Sequence, residues 1–546
     1  MLPPPEIRGT YRTDLRARAA YAEAAGIYRI LPRAVCLPAD VEDLVKLVCW
    51  AAEHRMALVP RGAGSAMGGG NVGEGVIVDL GRMAGRRLEV NSEARLAVTS
   101  AAVTHAELNG AAGRVGLRLP PDPSSGQWAT AGGMVSTNAA GARSVRYGSV
   151  RPWVNGLTLI TADGETVELQ RGKPPVAGST LARFNRDAAP AIASAAPLIA
   201  DRFPRTRKNS SGYALDAYLA SGDLLDLIIG AEGTLGIVTE IEWRLDPTPL
   251  FRAGLRVTIR SLDDLSQVIA LLSSFQPSAI ELLDRSFLDL IGPAALALAG
   301  LDRPDAGAVL LVELEQSDAE TLRQALDRAA AALQPVALSV ETAFSAAAAD
   351  RLWAIRHAAS PILARLPEER RSLQVIEDAC VPIERMGEYI RAVRLAAADH
   401  DIPVVVFGHA GDGHIHVNLL PEVARSGWET EVARLLDEVT ETVVRLGGTP
   451  SGEHGDGRLR ADALVRVYGP QIVELFRRVK HSFDPLGILN PGIILPSGDP
   501  PIGRLKVGAG AVPLPPDLQR SLREIERTGG YGKSRLELAD EKRSRV

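Results

Sequence analysis

The chain has 546 residues, 46% hydrophobic and 23% charged, with a formal net charge of -5; at roughly 100–200 residues per domain this ordinary globular balance predicts about three structural units. With no basic stripe, nucleic acid is excluded as an expected partner. Three scattered cysteines, Cys36, Cys49 and Cys380, exclude a cysteine-ligated iron–sulfur cluster within the chain and a disulfide framework, and fit a reducing, cytoplasmic setting.

Residues 1–35 read as a peripheral helical segment. The stretch Met1 to Gly9 holds three prolines and no apolar h-region, so no signal peptide is visible. No run in the chain approaches about 18 apolar residues, so no membrane span is expected. Ala39 to His54 has apolar residues at helical spacing (Val41, Leu44, Val45, Val48), with Asp40 placed as N-cap. Ala57 to Pro60 reads as a strand, the stretch PRGAGSAMGGGNVGEG (60–75) as a glycine loop, and Val76 to Leu80 as a second strand.

Glycines let backbone N–H groups approach a ligand closely, and successive inward N–H groups form a nest for an anion such as a diphosphate. The spacing Gly62-x-Gly64-x-x-x-Gly68 is not the dinucleotide fingerprint, and no helix follows the loop. A flexible surface loop is the bland alternative. From about 95 to 245, short β-like runs (Arg95–Ser100, Gly156–Thr161, Gly236–Arg244) alternate with glycine-rich turns. From Phe251 onward, strands (Gly254–Ile259, Val309–Glu315) alternate with alanine-rich helices (Ser317–Leu333), the pattern of an α+β unit with helices packed on a sheet.

Residues 404–419 read as a strongly apolar strand bearing histidines. Four of the nine histidines, His409, His414, His416 and His454, fall between 409 and 454. In FGHAGDGHIHVNLL (407–420), His414, His416 and Asn418 alternate and share one face of a strand. The turn AGDG can fold His409 back towards them, and SGEHGDG (451–457) adds Glu453 and His454. Imidazoles with a carboxylate suit Zn²⁺, Fe²⁺ or Mn²⁺. Structural histidines satisfied by turn carbonyls are the competing reading. The tail from about 497, rich in Pro and Gly and then charged, reads as an arm or partly ordered extension.

Three further segments, LPPDPSS (119–125), ATAGGMVSTNAAGARSVRYG (129–148) and GAEGTLGI (230–237), join the glycine loop in order. Together they resemble the flavin-binding domain of the vanillyl-alcohol oxidase and p-cresol methylhydroxylase (PCMH) family, over residues 30–495. The resemblance implies FAD contacts from Arg61, Gly62, Ala63, Gly64, Ser65, Gly68 and Gly69, and from Pro121 and Asp122. It implies others from Thr130, Gly132, Gly133, Ser136, Thr137 and Gly141, and from Glu232, Gly236 and Ile237. Some members tether FAD through a histidine near the first loop. Ser65 to Gly68 contain none, so the flavin is expected to be non-covalent. Asn490, in FDPLGILNPGIIL (483–495), is a further flavin contact or a plain turn residue.

GHAGDGHIHVN and SGEH look like the metal motif of the D-lactate, D-2-hydroxyglutarate and glycolate dehydrogenase branch. The implied ligands are His409, His416 and Glu453, with Asn418 on the substrate and His454 as base. Where this chain has His414 the branch usually has asparagine; His414 could compete as a ligand, contact the substrate or point away, and a place near the metal without ligation is expected. In RLWAIRHAAS (351–360), Arg356 matches the branch's substrate arginine, and guanidinium suits a carboxylate through paired bonds. The 2-hydroxyglutarate enzymes carry a lysine where this chain has Ile376, which favours lactate, glycolate or a longer apolar 2-hydroxy acid. Glu377-Asp378 reads as a solvated strand end without assigned chemistry.

The chemistry needs this combination. A hydroxyl near pKa 15.7 and a histidine near 6.5 differ by roughly nine pKa units, about 12 kcal/mol, and a bound divalent cation can close most of that gap.

The expected fold is therefore α+β. It has a two-part PCMH-type FAD-binding domain (36–247) after the helical segment 1–35 and a ferredoxin-like α+β cap domain (248–446). A C-terminal helical segment (447–496) returns to the FAD domain, before the extension (497–546). The expected activity is FAD-dependent oxidation of a small D-2-hydroxy acid. Electrons would leave to an iron–sulfur subunit, an electron-transfer flavoprotein, a cytochrome or a quinone, and a homodimer is left open. The alternatives are a non-catalytic, electron-relay FAD subunit of a larger complex and a flavin-dependent ether-lipid synthase without metal.

Overall fold

The structure, a computed structural model, describes residues 3–540 apart from 294, 295, 297–299, 302 and 358. Its first sheet runs Thr10–Arg12, Ala34–Leu37, Val76–Asp79, Leu58–Arg61, with the last three strands parallel. The helix Val41–His54 connects two of them. Its N-cap Asp40 accepts from the Asp43 N–H at 3.1 Å, and Leu44, Leu47, Val48 and Ala51 are fully buried. Burial of each larger aliphatic side chain contributes roughly 1.5–3 kcal/mol.

Residues 1–35 are not the helical segment expected. They hold the strand Thr10–Arg12 and only a six-residue helix, Leu15–Ala20. Tertiary contact overrides local propensity here: Ala25 N–H donates to the Gly64 carbonyl at 3.0 Å. A Cβ on Gly26 would stand 2.2 Å from the Met67 carbonyl oxygen. The segment runs extended along the glycine loop and supports it.

The second sheet is antiparallel, in the order Leu88–Asn91, Leu96–Ser100, Ile237–Arg244, Val154–Ile160, Thr166–Gln170. The helix Pro470–Phe483 returns to it from the far end of the chain, and Ile472, Phe476 and Phe483 share a core with Phe184 and Tyr213.

The third sheet has seven antiparallel strands, in the order Ser339–Ala343, Phe251–Ile259, Ala308–Gln316, Ala279–Asp284, Val404–His409, His414–Leu419, Ala379–Cys380. One face packs Leu255, Leu310, Ile280, Val406 and Val417 against the helices Leu265–Ser273, Ala319–Leu333, Met386–Asp399 and Trp428–Arg445. The period-2 alternation of strands sends the intervening side chains to the other face, among them Glu281, Phe407, His409, His416 and Asn418. The single strand expected over 404–419 is instead a hairpin, folded at Ala410–Asp412, with His409 paired to His414 and Phe407 to His416.

The extension is described up to Asp540, and 541–546 lie outside the described residues. Its helices Pro516–Thr528 and Arg535–Asp540 pack on the Leu15–Ala20 region, with Leu518, Leu522 and Ile525 against Ala19 and Ala22.

His400 joins two of the sheet's helices, bonding Glu431 Oε2 through Nδ1 at 2.8 Å and Glu438 Oε1 through Nε2 at 2.9 Å. The Glu431 bond, helped by Glu438, raises its pKa against the opposing effect of burial. A pKa raised on folding adds stability that is complete below the unfolded value near 6.5 and is lost as pH climbs through the folded one. His400→Gln is therefore expected to lower the melting temperature by about 2 °C at pH 6. The deficit should shrink by pH 9, and a deficit that grows with pH would remove this assignment.

Candidate active site

The glycine loop, the 130–137 segment and the 232–237 turn line one cleft, with about 1290 Å³ of empty space including its open mouth. Arg61, Gly62, Ala63, Gly64 and Ser65 line it, with Thr130, Gly132, Gly133, Ser136 and Thr137 and with Glu232, Gly236 and Ile237. Small residues are required for this approach. A Cβ on Gly62 would lie 2.2 Å from Thr130 Oγ1, and one on Gly64 would lie 2.5 Å from Arg61 Nη2. Asn71 also lines the cleft and carries a buried amide oxygen without a hydrogen-bond partner. This cradle of N–H groups and small side chains fits a dinucleotide diphosphate.

Several expected contacts stand behind the wall rather than in it. Gly68 packs on Gly457 and Gly69 on Tyr28. Pro123 to Ser125 reach the cleft in place of Pro121 and Asp122. Asp122 accepts from the Arg143 N–H at 3.2 Å, and Gly141 lies under the Asp122 carbonyl. Asn490 Nδ2 donates to the Gly70 and Glu232 carbonyls, each at 2.8 Å, and so ties two walls together. The Glu232 carboxylate accepts from the Asp456 and Gly457 N–H groups at 2.8 and 3.0 Å. Burial, followed by the Asp456 charge, pushes it up to about 8.

Glu453 and His454 belong to the same cleft wall. His409 Nε2 lies 3.0 Å from Glu453 Oε1 and 3.3 Å from His416 Nε2, and His416 Nε2 lies 3.6 Å from Glu453 Oε1. Ligands roughly 2.0–2.2 Å from an ion at tetrahedral angles stand about 3.3–3.6 Å apart. The outer nitrogens are engaged as metal-binding histidines require: His409 Nδ1 bonds Glu281, and His416 Nδ1 bonds the Glu377 carbonyl at 2.8 Å. These three residues fit a divalent cation. His414 is also close enough to join the cluster. Its ring nitrogens are engaged elsewhere, Nε2 by Asp378 at 2.9 Å and Nδ1 by Lys208 Nζ at 3.3 Å.

Around this centre is a buried charge network. Lys208 Nζ donates to Glu453 Oε2 at 2.8 Å. Burial alone would raise Glu453; Lys208, His409 and His414 outweigh it and hold the carboxyl well below its usual range. Asp378 accepts from Ser451 Oγ at 2.6 Å and from the His454 N–H at 2.9 Å, fixing the loop that presents Glu453. His454 Nδ1 bonds Glu377 Oε2 at 2.6 Å, and Arg460 Nη2 donates to Glu377 Oε1 at 2.6 Å. Burial would lower the His454 pKa, but Asp378 and Glu377 push it up to about 10. The solvated strand end expected at Glu377-Asp378 is thus overturned: the two are 2% and 0% exposed and organise the site. Ile376 points the other way, into the core on the helix side.

Arg356 Nε donates to Glu281 Oε2 at 2.8 Å, and its guanidinium lies 4.6 Å from the Phe407 ring centre. One carboxylate therefore links Arg356 to His409. Asn418 shares the His416 face and accepts from Ser372 Oγ at 2.9 Å. Lys208, Glu281 and Arg460 were not singled out by sequence reasoning, and Glu377 and Asp378 were given no chemistry. Glu281 alone left a signal, a charge inside the wholly buried strand Ala279–Asp284.

Comparisons with known proteins agree with this layout. A family model described as "FAD binding domain" matches residues 32–170, and one described as "FAD linked oxidases, C-terminal domain" matches residues 249–494. The chain is 31% identical over 474 residues to "Glycolate oxidase subunit GlcD" of Bacillus subtilis (strain 168), covering 86% of this chain and 90% of that one. It is 30% identical over 474 residues to "D-lactate dehydrogenase" of Archaeoglobus fulgidus, covering 85% and 93%. Among solved structures, "4-ethylphenol oxidase from Gulosibacter chungangensis: isoeugenol complex" superposes with a TM-score of 0.64 at 17% identity, over 89% of this chain and 94% of that one. An alkyldihydroxyacetonephosphate synthase superposes with a TM-score of 0.60 at 16% identity, over 88% and 83%.

Proposed function

Because the chain belongs to the FAD-linked oxidase family, we propose that it oxidises a small D-2-hydroxy acid, of lactate or glycolate size, to the 2-oxo acid. FAD would be held non-covalently by the cleft and a divalent cation by His409, His416 and Glu453. The observation that carries this reading is continuity: the wall built from residues 61–67, 130–137 and 232–237 also contains Glu453 and His454. A flavin in that cleft and the histidine centre thus share one space.

FAD, when bound, supplies the hydride acceptor. The cation would supply a Lewis acid that makes the substrate hydroxyl more acidic. His454 stands next to that centre as the base, its Nδ1 fixed on Glu377 and its Nε2 3.9 Å from Glu453 Oε1. Glu377 and Asp378 favour its protonated form, and a cation on the adjacent Glu453 opposes them and favours the neutral base. Arg356 is the candidate for the substrate carboxylate, in exchange with Glu281, and Asn418 for a second polar contact. His414, held between Asp378 and Lys208, positions Glu453 rather than ligating. The resemblance, with Ile376 in place of the lysine of the 2-hydroxyglutarate enzymes, is what supports an acid without a second carboxylate.

No helix among the described residues is long and apolar enough to cross a membrane. With three scattered cysteines, the electron acceptor is a separate molecule of the kinds named above.

The test is anaerobic mixing of purified holoprotein with achiral glycolate and with the D and L forms of lactate and 2-hydroxyglutarate. The yellow flavin absorbance should bleach with the short D-acids at a kcat/KM about tenfold or more above that for D-2-hydroxyglutarate. Flavin that no 2-hydroxy acid bleaches would sink the proposal and favour an electron-relay subunit.

A further inference from the structure

The family model ends at residue 494, yet the chain continues and folds back on the cofactor region. The segment 529–540 touches two elements that lead into the cleft wall. On one side, Ala539 and Leu536 join a core with Tyr21, Val35, Val59 and Ile77, beneath the strand that leads into the glycine loop. On the other, a Cβ on Gly529 would stand 2.6 Å from the Trp128 ring, and Tyr531 meets Trp128 edge-on at 6.1 Å. Ala129 and Thr130, the residues after Trp128, line the cleft. The segment is pinned outside by Arg16 Nε donating to the Ala539 carbonyl at 2.9 Å and by Arg12 pairing with Asp540 at 3.2 Å.

Arg535 sits at the centre of this contact. It is 5% exposed, and its Nε and Nη1 have no hydrogen-bond partner. Its guanidinium lies 5.7 Å from the Tyr531 ring centre. Arg61, whose guanidinium lies under Gly64, is the charge that bears most strongly on it and is itself buried. Arg29 is paired with Glu23 at 2.6 Å, and Asp79 accepts from Tyr21 Oη at 2.5 Å. Three guanidinium groups, of which Arg61 also belongs to the cleft wall, stand against two carboxylates and leave excess positive charge at the base of the loop. A buried cation without partners is costly unless an anion stands near it.

We propose that the segment 529–540 is a clasp coupled to the cofactor. Arg535 docks behind the glycine loop and, with Arg61, favours a diphosphate on the cleft side, so that FAD and the clasp hold each other in place. This rests on the FAD reading. Linkage makes the coupling reciprocal: whatever a bound diphosphate adds to docking of the clasp, the docked clasp adds to FAD affinity.

The test uses the full-length chain and its Arg535→Gln and Arg535→Lys variants, each freed of flavin and titrated with FAD. Arg535→Gln should weaken FAD binding about tenfold or more, and Arg535→Lys, which keeps the charge, should stay within about threefold of the parent. In the parent protein, trypsin should cut after the exposed Lys533 faster without FAD than with it. Equal FAD affinity for Arg535→Gln and parent overturns the proposal, as does a lysine variant as weak as glutamine, or cleavage after Lys533 that ignores FAD. A parent protein that binds no FAD would instead overturn the cofactor reading from which the proposal starts.

Discussion

Glu453→Gln is expected to strip the protein of its divalent cation and to lower kcat/KM for the preferred acid by about 10³-fold or more, about 4 kcal/mol of transition-state stabilisation. The side chain keeps its shape but loses the charge that faces both imidazoles and Lys208. In the parent, Oε1 faces His409 and His416 while Oε2 accepts from Lys208. An amide serves only one of these sides, and Lys208, 3% exposed, is left with Asp412 at 3.6 Å as its nearest carboxylate. FAD should remain bound, because the diphosphate cradle is built from other segments. Metal analysis, flavin content and steady-state rates on one preparation check this. A variant that turns over normally with no metal would refute the role given to the cluster.

The second large effect is expected at His454. His454→Gln should slow flavin reduction in a single turnover by about 10²–10⁴-fold, the usual contribution of a positioned general base, with flavin content unchanged. Glutamine can still donate to Glu377, so the buried carboxylate keeps a partner beyond Arg460. Alanine would remove the base and leave one side of Glu377 bare, mixing catalysis with stability. Stopped-flow reduction at saturating substrate separates the chemical step from binding, and a rate within about threefold of the parent would take His454 out of the mechanism.

What the sequence disclosed was local. The histidine hairpin could be read because strand alternation and a glycine turn act over a few residues, and His409, His416 and Glu453 do converge. The glycine loop could be read because only glycine tolerates a neighbour such as Thr130 at the distance found here. What escaped was distant. Lys208 meets Glu453 across 245 residues, and Glu281 meets His409 across 128. No spacing rule links such positions; strand pairing and layer packing bring them together. Glu377-Asp378 looked like a charged surface end because paired charges usually mark solvent. Their partners, His454, Arg460, His414 and Ser451, become visible only in three dimensions. The N-terminal 35 residues misled for the same reason, since their conformation follows the loop they support.

The hairpin also limits how this protein can change over time. His409 and His414 sit opposite each other across a four-residue connection, and alternate side chains leave the sheet on opposite sides. Adding or deleting one residue within a strand would turn Ile415 and Val417 towards the cleft and send the imidazoles into the oily layer beneath the helices. Length changes there are therefore admissible only in even steps. Drift in this part of the gene should show up as substitutions, while insertions collect in connections that carry no ligand.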